Sequence, residues 1–364
     1  ESISLRDKTI DSNDTIETLE VRGARLYSAV SYIPYLLPVL LFQKIMNLSI
    51  YYIGILGRLT AFIVWLLLSV HTIKVMPKRK EFMAFLCLMP VVLSTVTTFS
   101  ADLMTNTTIL MFLAYWYRLY EEKRPIKKRE IFVISLLGIF TAYAKIVYAL
   151  IFLILFLLPK ECFESKKRKV ISLLIIIVAI LVATIINTIF VGGDLLDVYP
   201  KIIDQKEFIQ NNFFSYITIL IKSIVKNFNY IYTFPTNGER MLFHDGIRVS
   251  DIVAILYVII LLISLKLDES NIKHTKIAKV LYTFINVAII CIIYTSLYIQ
   301  FTATHYGIGF PYVIGVQLRY IIPMVAMLIL TNNKKKLELD KNYLWYGVIF
   351  LNEVFIFQTI LRFI

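Results

Sequence analysis

Charge is scarce in this sequence. Only 17% of its 364 residues are Asp, Glu, Lys or Arg, against about 25% in an ordinary soluble domain, while 58% are hydrophobic. That balance excludes a soluble fold. Cysteine is nearly absent too: Cys87, Cys162 and Cys291 are scattered, which rules out a disulfide framework and a cysteine-rich zinc site. The four histidines, His71, His244, His274 and His305, are equally dispersed, so no metal-ligand spacing is readable. Glycine-rich phosphate loops and a serine nucleophile elbow are missing. Chemistry on soluble nucleotides is therefore unsupported, no cofactor can be named, and the lack of an internal repeat lowers a transporter reading.

What is present is a series of apolar runs, among them 51–73, 170–191, 252–265 and 280–300. They approach or reach the roughly 20 residues a helix needs to cross about 30 Å of hydrocarbon. The formal charge of +13 would suit a nucleic-acid binder, but the basic residues sit in short clusters between these runs. Nucleic acid is therefore not the expected partner. The clusters are Lys74 with Lys78–Lys80, Arg118 with Lys123–Arg129, Lys160 with Lys166–Lys169, Lys266–Lys279, and Lys334–Lys336 with Lys341. The positive-inside rule predicts all five on the cytoplasmic side.

Parity then fixes the remaining topology. Residues 82–99 and 103–120 are expected to form a hairpin with Ser100-Ala101-Asp102 at its outer tip. The run 131–159 lies between two basic clusters, so it is expected to enter and return as two half-helices meeting near Lys145. Residues 192–248, with six acidic and six basic residues, read as a long outer loop. Within it Phe208 to Phe228 repeat at helical spacing, predicting a helix that either lies on the membrane surface or covers the outer ends of other helices. The stretch 27–46, with Pro34 and Pro38, reads as an interfacial or re-entrant helix. The expected organisation is 1–50 as a partial first outer loop with that helix, lacking an earlier span; 51–191 as membrane helices with the re-entrant hairpin 131–159; 192–248 as the outer loop; and 249–364 as C-terminal membrane helices. The fold class is an all-α polytopic membrane bundle with an outer-face loop layer and short half-helices.

Ionisable residues within or at the edge of a membrane are costly and mark function or internal pairing. Lys145 is placed either to meet a lipid phosphate or to pair with Asp102. Asp102 is either a helix N-cap or an outward carboxylate that orients an acceptor or acts as a base. Arg319, opening a short helix after a glycine-containing loop, suits bidentate phosphate binding or simple snorkelling at a helix end. Gln317 would support it or bind a sugar hydroxyl. Arg58 is a candidate phosphate ligand, and His244 and His305 are candidate loop ligands or solvated residues.

Several ordered segments together resemble the family of domain of unknown function 2142. They are Tyr27-Ser28-Ala29-Val30-Ser31-Tyr32-Ile33-Pro34 with Gly57-Arg58-Leu59, Met89-Pro90 before Ser100-Ala101-Asp102, Ala144-Lys145-Ile146-Val147-Tyr148, and Gly315-Val316-Gln317-Leu318-Arg319-Tyr320 with Pro323. Leu318 stands where the family usually has glycine. That family is similar to GT-C type membrane glycosyltransferases. The resemblance implies a bacterial cytoplasmic-membrane enzyme that transfers a sugar from a polyprenyl-phosphate donor to a polysaccharide or glycolipid acceptor on the outer face. On this reading a carboxylate of the first outer loop is the base, Lys145 and Arg319 hold the donor phosphate, and Asp102 is the catalytic-site residue that orients the acceptor or supports the site. Tyr148, Gln317, Tyr320, Arg58, His244 and His305 are the further candidates for substrate binding. A transporter or flippase for lipid-linked saccharides and a non-catalytic envelope-assembly partner are the alternatives.

Overall fold

The computed structural model describes residues 27–46, 49–192, 195, 199–236, 250–270, 272 and 275–361. Among them the regular structure is helical with no strand, and an isolated β-bridge joins Ser270 and Asn333. The protein is an all-α, multi-pass membrane bundle. Five stretches are long and apolar enough to cross a bilayer by length and composition: Tyr51–Val75, Lys128–Leu157, Lys166–Phe190, Lys276–Tyr306 and Lys341–Ile360. Many large apolar side chains on them point outward, such as Leu67, Phe132, Ile189, Val280 and Phe350. A soluble protein would bury such residues; here lipid replaces the missing core.

The α-helices in chain order are α1 (Ile33–Met46), α2 (Ile50–Val75), α3 (Lys80–Cys87), α4 (Pro90–Val96), α5 (Asp102–Glu122), α6 (Lys128–Lys145), α7 (Lys166–Gly192), α8 (Ile202–Asn211), α9 (Phe213–Phe228), α10 (Asp251–Ser264), α11 (Lys276–Leu297), α12 (Ala303–Tyr306), α13 (Ile322–Ala326) and α14 (Lys341–Ile360). All five basic clusters are tied together at one end of the bundle. Lys78 pairs with Glu121 at 2.8 Å, Lys341 with Glu81 at 2.6 Å, and the Arg79 N–H donates to Asp268 at 2.6 Å. The Ile126 N–H donates to the Cys162 carbonyl at 2.9 Å, and Ser270 and Asn333 exchange backbone hydrogen bonds. Arg79 anchors this end from within: it is fully buried, left-handed at φ 58°, and donates to the Ile329 carbonyl at 2.6 Å.

The Ile126–Cys162 bond also decides the path of the run between them. Helix α6 leaves the basic end, the backbone breaks at Lys145, and a 3₁₀ helix over Ile146–Leu157 returns to the same end. Phe152 stacks on Phe112 with ring centres 3.9 Å apart, and Trp116 donates to the Ile154 carbonyl at 2.9 Å. Gly138 lets α6 close up on α7 and on the return arm, since a Cβ there would meet Ile180 of α7 at 2.5 Å and Phe152 of the return arm at 3.3 Å. The 3₁₀ form has a mechanical consequence. Twelve residues cover about 24 Å at 2.0 Å each, where an α-helix would cover about 18 Å. The short return arm therefore nearly matches α6, whose 18 residues extend about 27 Å.

The segment Leu318–Leu330 solves the same problem in the same way. It flanks the five-residue α13 with 3₁₀ turns at Leu318–Ile321 and Met327–Leu330, and thereby joins Arg319 at the far end to the Arg79 anchor at the basic end.

Two expected helices are divided. The run 82–99 is α3 and α4, because Pro90 starts a new helix and cannot donate to the turn before it. The freed Val91 N–H donates instead to the carbonyl of Pro235, which places the 231–236 segment inside the bundle. The amphipathic stretch of the long loop is α8 and α9, broken at Asn212. Helix α9 buries Tyr216, Ile219 and Leu220 against Tyr298 and Val313. It leaves Phe214, Ile221, Val225 and Phe228 exposed along its opposite face. One face covers helix ends while the other is an exposed apolar stripe.

Candidate functional site

At the far end, three charged side chains from three distant segments meet. Asp102 is the first residue of α5, Lys145 is the break between α6 and the 3₁₀ arm, and Arg319 lies in the first turn of Leu318–Ile321. Lys145 Nζ donates to Asp102 Oδ1, and Arg319 Nε lies 3.2 Å from Asp102 Oδ2. The side chains are 7% (Asp102), 10% (Lys145) and 17% (Arg319) exposed. Enclosing charges to this degree carries a desolvation cost of several kcal/mol per ion, which pairing only partly offsets. Two cations, Lys145 and Arg319, thus flank the one carboxylate of Asp102.

Asp102 is not an N-cap. The N-cap is Ala101, which offers no side-chain cap, and Ser100 Oγ accepts from the Asp102 N–H at 3.1 Å and donates to Asp102 Oδ2 at 2.9 Å. Both carboxylate oxygens are thus committed to neighbours, a geometry that suits an anchor for cations rather than a proton acceptor.

Aromatic rings enclose the cations. Lys145 Nζ sits 4.7 Å from the ring centre of Tyr320 and 5.8 Å from that of Tyr27, within the range at which a ring quadrupole attracts an ammonium. The buried phenol of Tyr148 donates to the Tyr320 carbonyl at 2.7 Å. The chain approaches this point through Gly315, whose φ of +85° turns it into the extended Gln317 just before Arg319.

Tyr320 is also the inner wall of an apolar groove. Between α9, α11 and residues 316–324, side chains including Ile224, Phe228, Ile290, Ile293, Leu318 and Met324 form an apolar groove whose lining includes Gln317 and Tyr320. Gln317 Oε1 is buried there without a hydrogen-bond partner among the described residues.

Of the residues singled out from sequence, Asp102, Lys145, Tyr148, Arg319 and Tyr320 converge, with Gln317 beside them. Arg58 and His305 do not join this cluster. Arg58 is exposed on α2, and His305 is exposed on α12 with its ring 4.3 Å from that of Phe301. Neither shows an ion pair or hydrogen bond to the cluster among the described residues. His244 lies outside the described residues. Tyr27 and Ser100 belong to the site without having been singled out. Each falls within a quoted segment, so their order along the chain was the available signal.

The profile of the family described as Predicted membrane protein (DUF2142) matches residues 3–328. The chain belongs to this family. No curated protein and no solved structure matches it. The match covers every member of the charged cluster and the whole groove.

Proposed function

We propose that this DUF2142 protein is a membrane glycosyltransferase of GT-C type that takes a sugar from a polyprenyl-phosphate donor and passes it to a cell-surface polysaccharide or glycolipid. The observation that carries this reading is the adjacency of the apolar groove to Lys145, which lies over the ring of Tyr320, a residue of the groove lining. An isoprenoid chain suits the groove, and a phosphate suits Lys145 and Arg319. In the reaction the bond between the sugar's anomeric carbon and the phosphate oxygen breaks, and the acceptor oxygen forms the new bond as its hydroxyl proton passes to a base, a carboxylate of the first outer loop. The lipid phosphate departs with the electron pair and gains negative charge. Fixed cations at that oxygen stabilise the transition state more than the ground state.

Asp102 serves by holding both cations in place, and Gln317 is positioned to accept from a sugar hydroxyl. By the positive-inside rule the cluster faces the outside of the bacterial cytoplasmic membrane.

The test is sugar transfer from polyprenyl-phosphate sugars by the purified protein in liposomes. Lys145→Ala and Arg319→Ala are each expected to lower the rate by roughly a hundredfold or more, the scale of losing one transition-state charge stabiliser. Wild-type rates in both variants would overturn the mechanism. Movement of a lipid-linked sugar across the vesicle membrane without covalent product would replace it with a flippase.

A further inference from the structure

At the basic end a second site is visible that the proposed chemistry does not use. A cavity of about 400 Å³ opens between the starts of α6 and α7. Lys127, Lys128 and Arg168 line it, with Ile131 and Phe163 as apolar walls and the buried Ser172 beside them. A fourth cation stands close by, with Lys169 Nζ 5.4 Å over the Phe163 ring.

The local acids leave Lys127 and Lys128 without an ion pair among the described residues. Glu130 is held by Arg124 through both oxygens, at 2.6 and 2.9 Å, and also accepts the Lys127 N–H at 2.9 Å. Glu122 is held by Arg118 at 2.7 Å and by Arg124 at 2.6 Å. The remaining acid on the rim, Glu164, forms a 3.4 Å pair with Arg168 in which both side chains are more than half exposed. Such a surface pair contributes little. The starts of α6 and α7 both border the cavity, and helix N-termini add further positive potential. Ile126, Ile131 and Phe163 give the cavity an apolar border, and Phe132 and Val170, next in sequence to Ile131 and Lys169, are 66% and 62% exposed, as side chains that face acyl chains are.

We infer that this cavity binds a phosphate group, as carried by an anionic phospholipid headgroup at the basic face of the membrane. The cations recognise the phosphate, and the apolar border favours a lipid over a free ion. Lipid binding here would clamp the α6–α7 pair, whose α6 arm carries Lys145 at its other end.

The experiment uses the full chain in detergent, titrated with phosphatidylglycerol, phosphatidylcholine or inorganic phosphate and read by native mass spectrometry and thermal unfolding. Phosphatidylglycerol should be retained and should raise the unfolding temperature, while phosphatidylcholine should do neither. Lys127→Gln, Lys128→Gln and Arg168→Gln combined should weaken retention by roughly a hundredfold, at about fivefold per cation removed. Lys127→Arg with Lys128→Arg should retain the lipid, which separates charge from folding. Stabilisation by inorganic phosphate equal to that by the lipid, and lost in the triple variant, would keep the phosphate site but overturn its assignment to lipid. Retention of phosphatidylglycerol that is the same in the triple variant would overturn the site. Neither result depends on whether sugar transfer occurs.

Discussion

Tyr148 donates its phenolic hydrogen to the main-chain carbonyl of Tyr320 at 2.7 Å, across 172 residues of chain. The bond joins the starts of two 3₁₀ segments, Ile146–Leu157 and Leu318–Ile321, that follow Lys145 and contain Arg319. Helical hydrogen bonds leave the first amides and the last carbonyls of a segment in need of outside partners, and Tyr320 is the third of the four residues of Leu318–Ile321. One phenol thus fixes the spacing of the two cations by binding backbone rather than side chain.

Tyr148→Phe removes that donor and keeps the ring. The Tyr320 carbonyl then loses a buried partner, and unfolding stability should fall by about 1–3 kcal/mol. Thermal unfolding in detergent measures this directly. Unchanged stability would mean that the bond adds nothing to holding the two segments together.

The charge cluster predicts strong non-additivity. Asp102→Ala leaves Lys145 and Arg319 enclosed without their shared carboxylate, at a cost of about 3–5 kcal/mol. Adding Lys145→Met removes one of the stranded cations. The double variant should therefore be more stable than Asp102→Ala alone. A double-mutant cycle on unfolding free energy checks the sign, and simple additivity would contradict the pairing.

How much of this was legible in the sequence depended on the kind of force involved. The lysine clusters could be grouped before any contact was known, because charge near a membrane is ordered by side rather than by neighbour. The same parity located the reversal at Lys145. The 3₁₀ form of the return arm was not legible. Ile146–Leu157 is uniformly apolar, and nothing in such a run distinguishes one helical pitch from another; the span to be covered decides it. Met89-Pro90 did carry a signal for the α3–α4 break, but continuous hydrophobicity on both sides concealed it. Arg58 and His305 were placed at the correct end by topology. Their side-chain directions, which exclude them from the cluster, depend on helix rotation set by packing.

Gly315 supplies a backbone prediction. Its φ is +85°, and an added Cβ would lie 2.8 Å from Phe301. Gly315→Ala combines conformational strain with a clash against a ring, and should cost about 1–3 kcal/mol. Because the strain falls two residues before Gln317, it should also lower sugar transfer more than a control Gly54→Ala, where nothing lies within 4 Å. Equal effects from the two substitutions would separate Gly315 from the site.

The reversal at Lys145 makes the most exposed topological prediction. Counted by length and composition, Lys128–Leu157 is one continuous 30-residue span, which would put Lys127 and Glu164 on opposite sides of the membrane. The Ile126–Cys162 backbone bond places them on the same side. In a chain with Cys87, Cys162 and Cys291 replaced by serine, single cysteines at Lys127 and at Glu164 should both react with a membrane-impermeant maleimide in inside-out vesicles. Neither should react in right-side-out vesicles. A cysteine at Phe99, exposed at the far end, should show the reverse pattern. Opposite labelling of positions 127 and 164 would restore the single long span, separate Lys145 from Asp102, and dissolve the cluster on which the proposed chemistry rests.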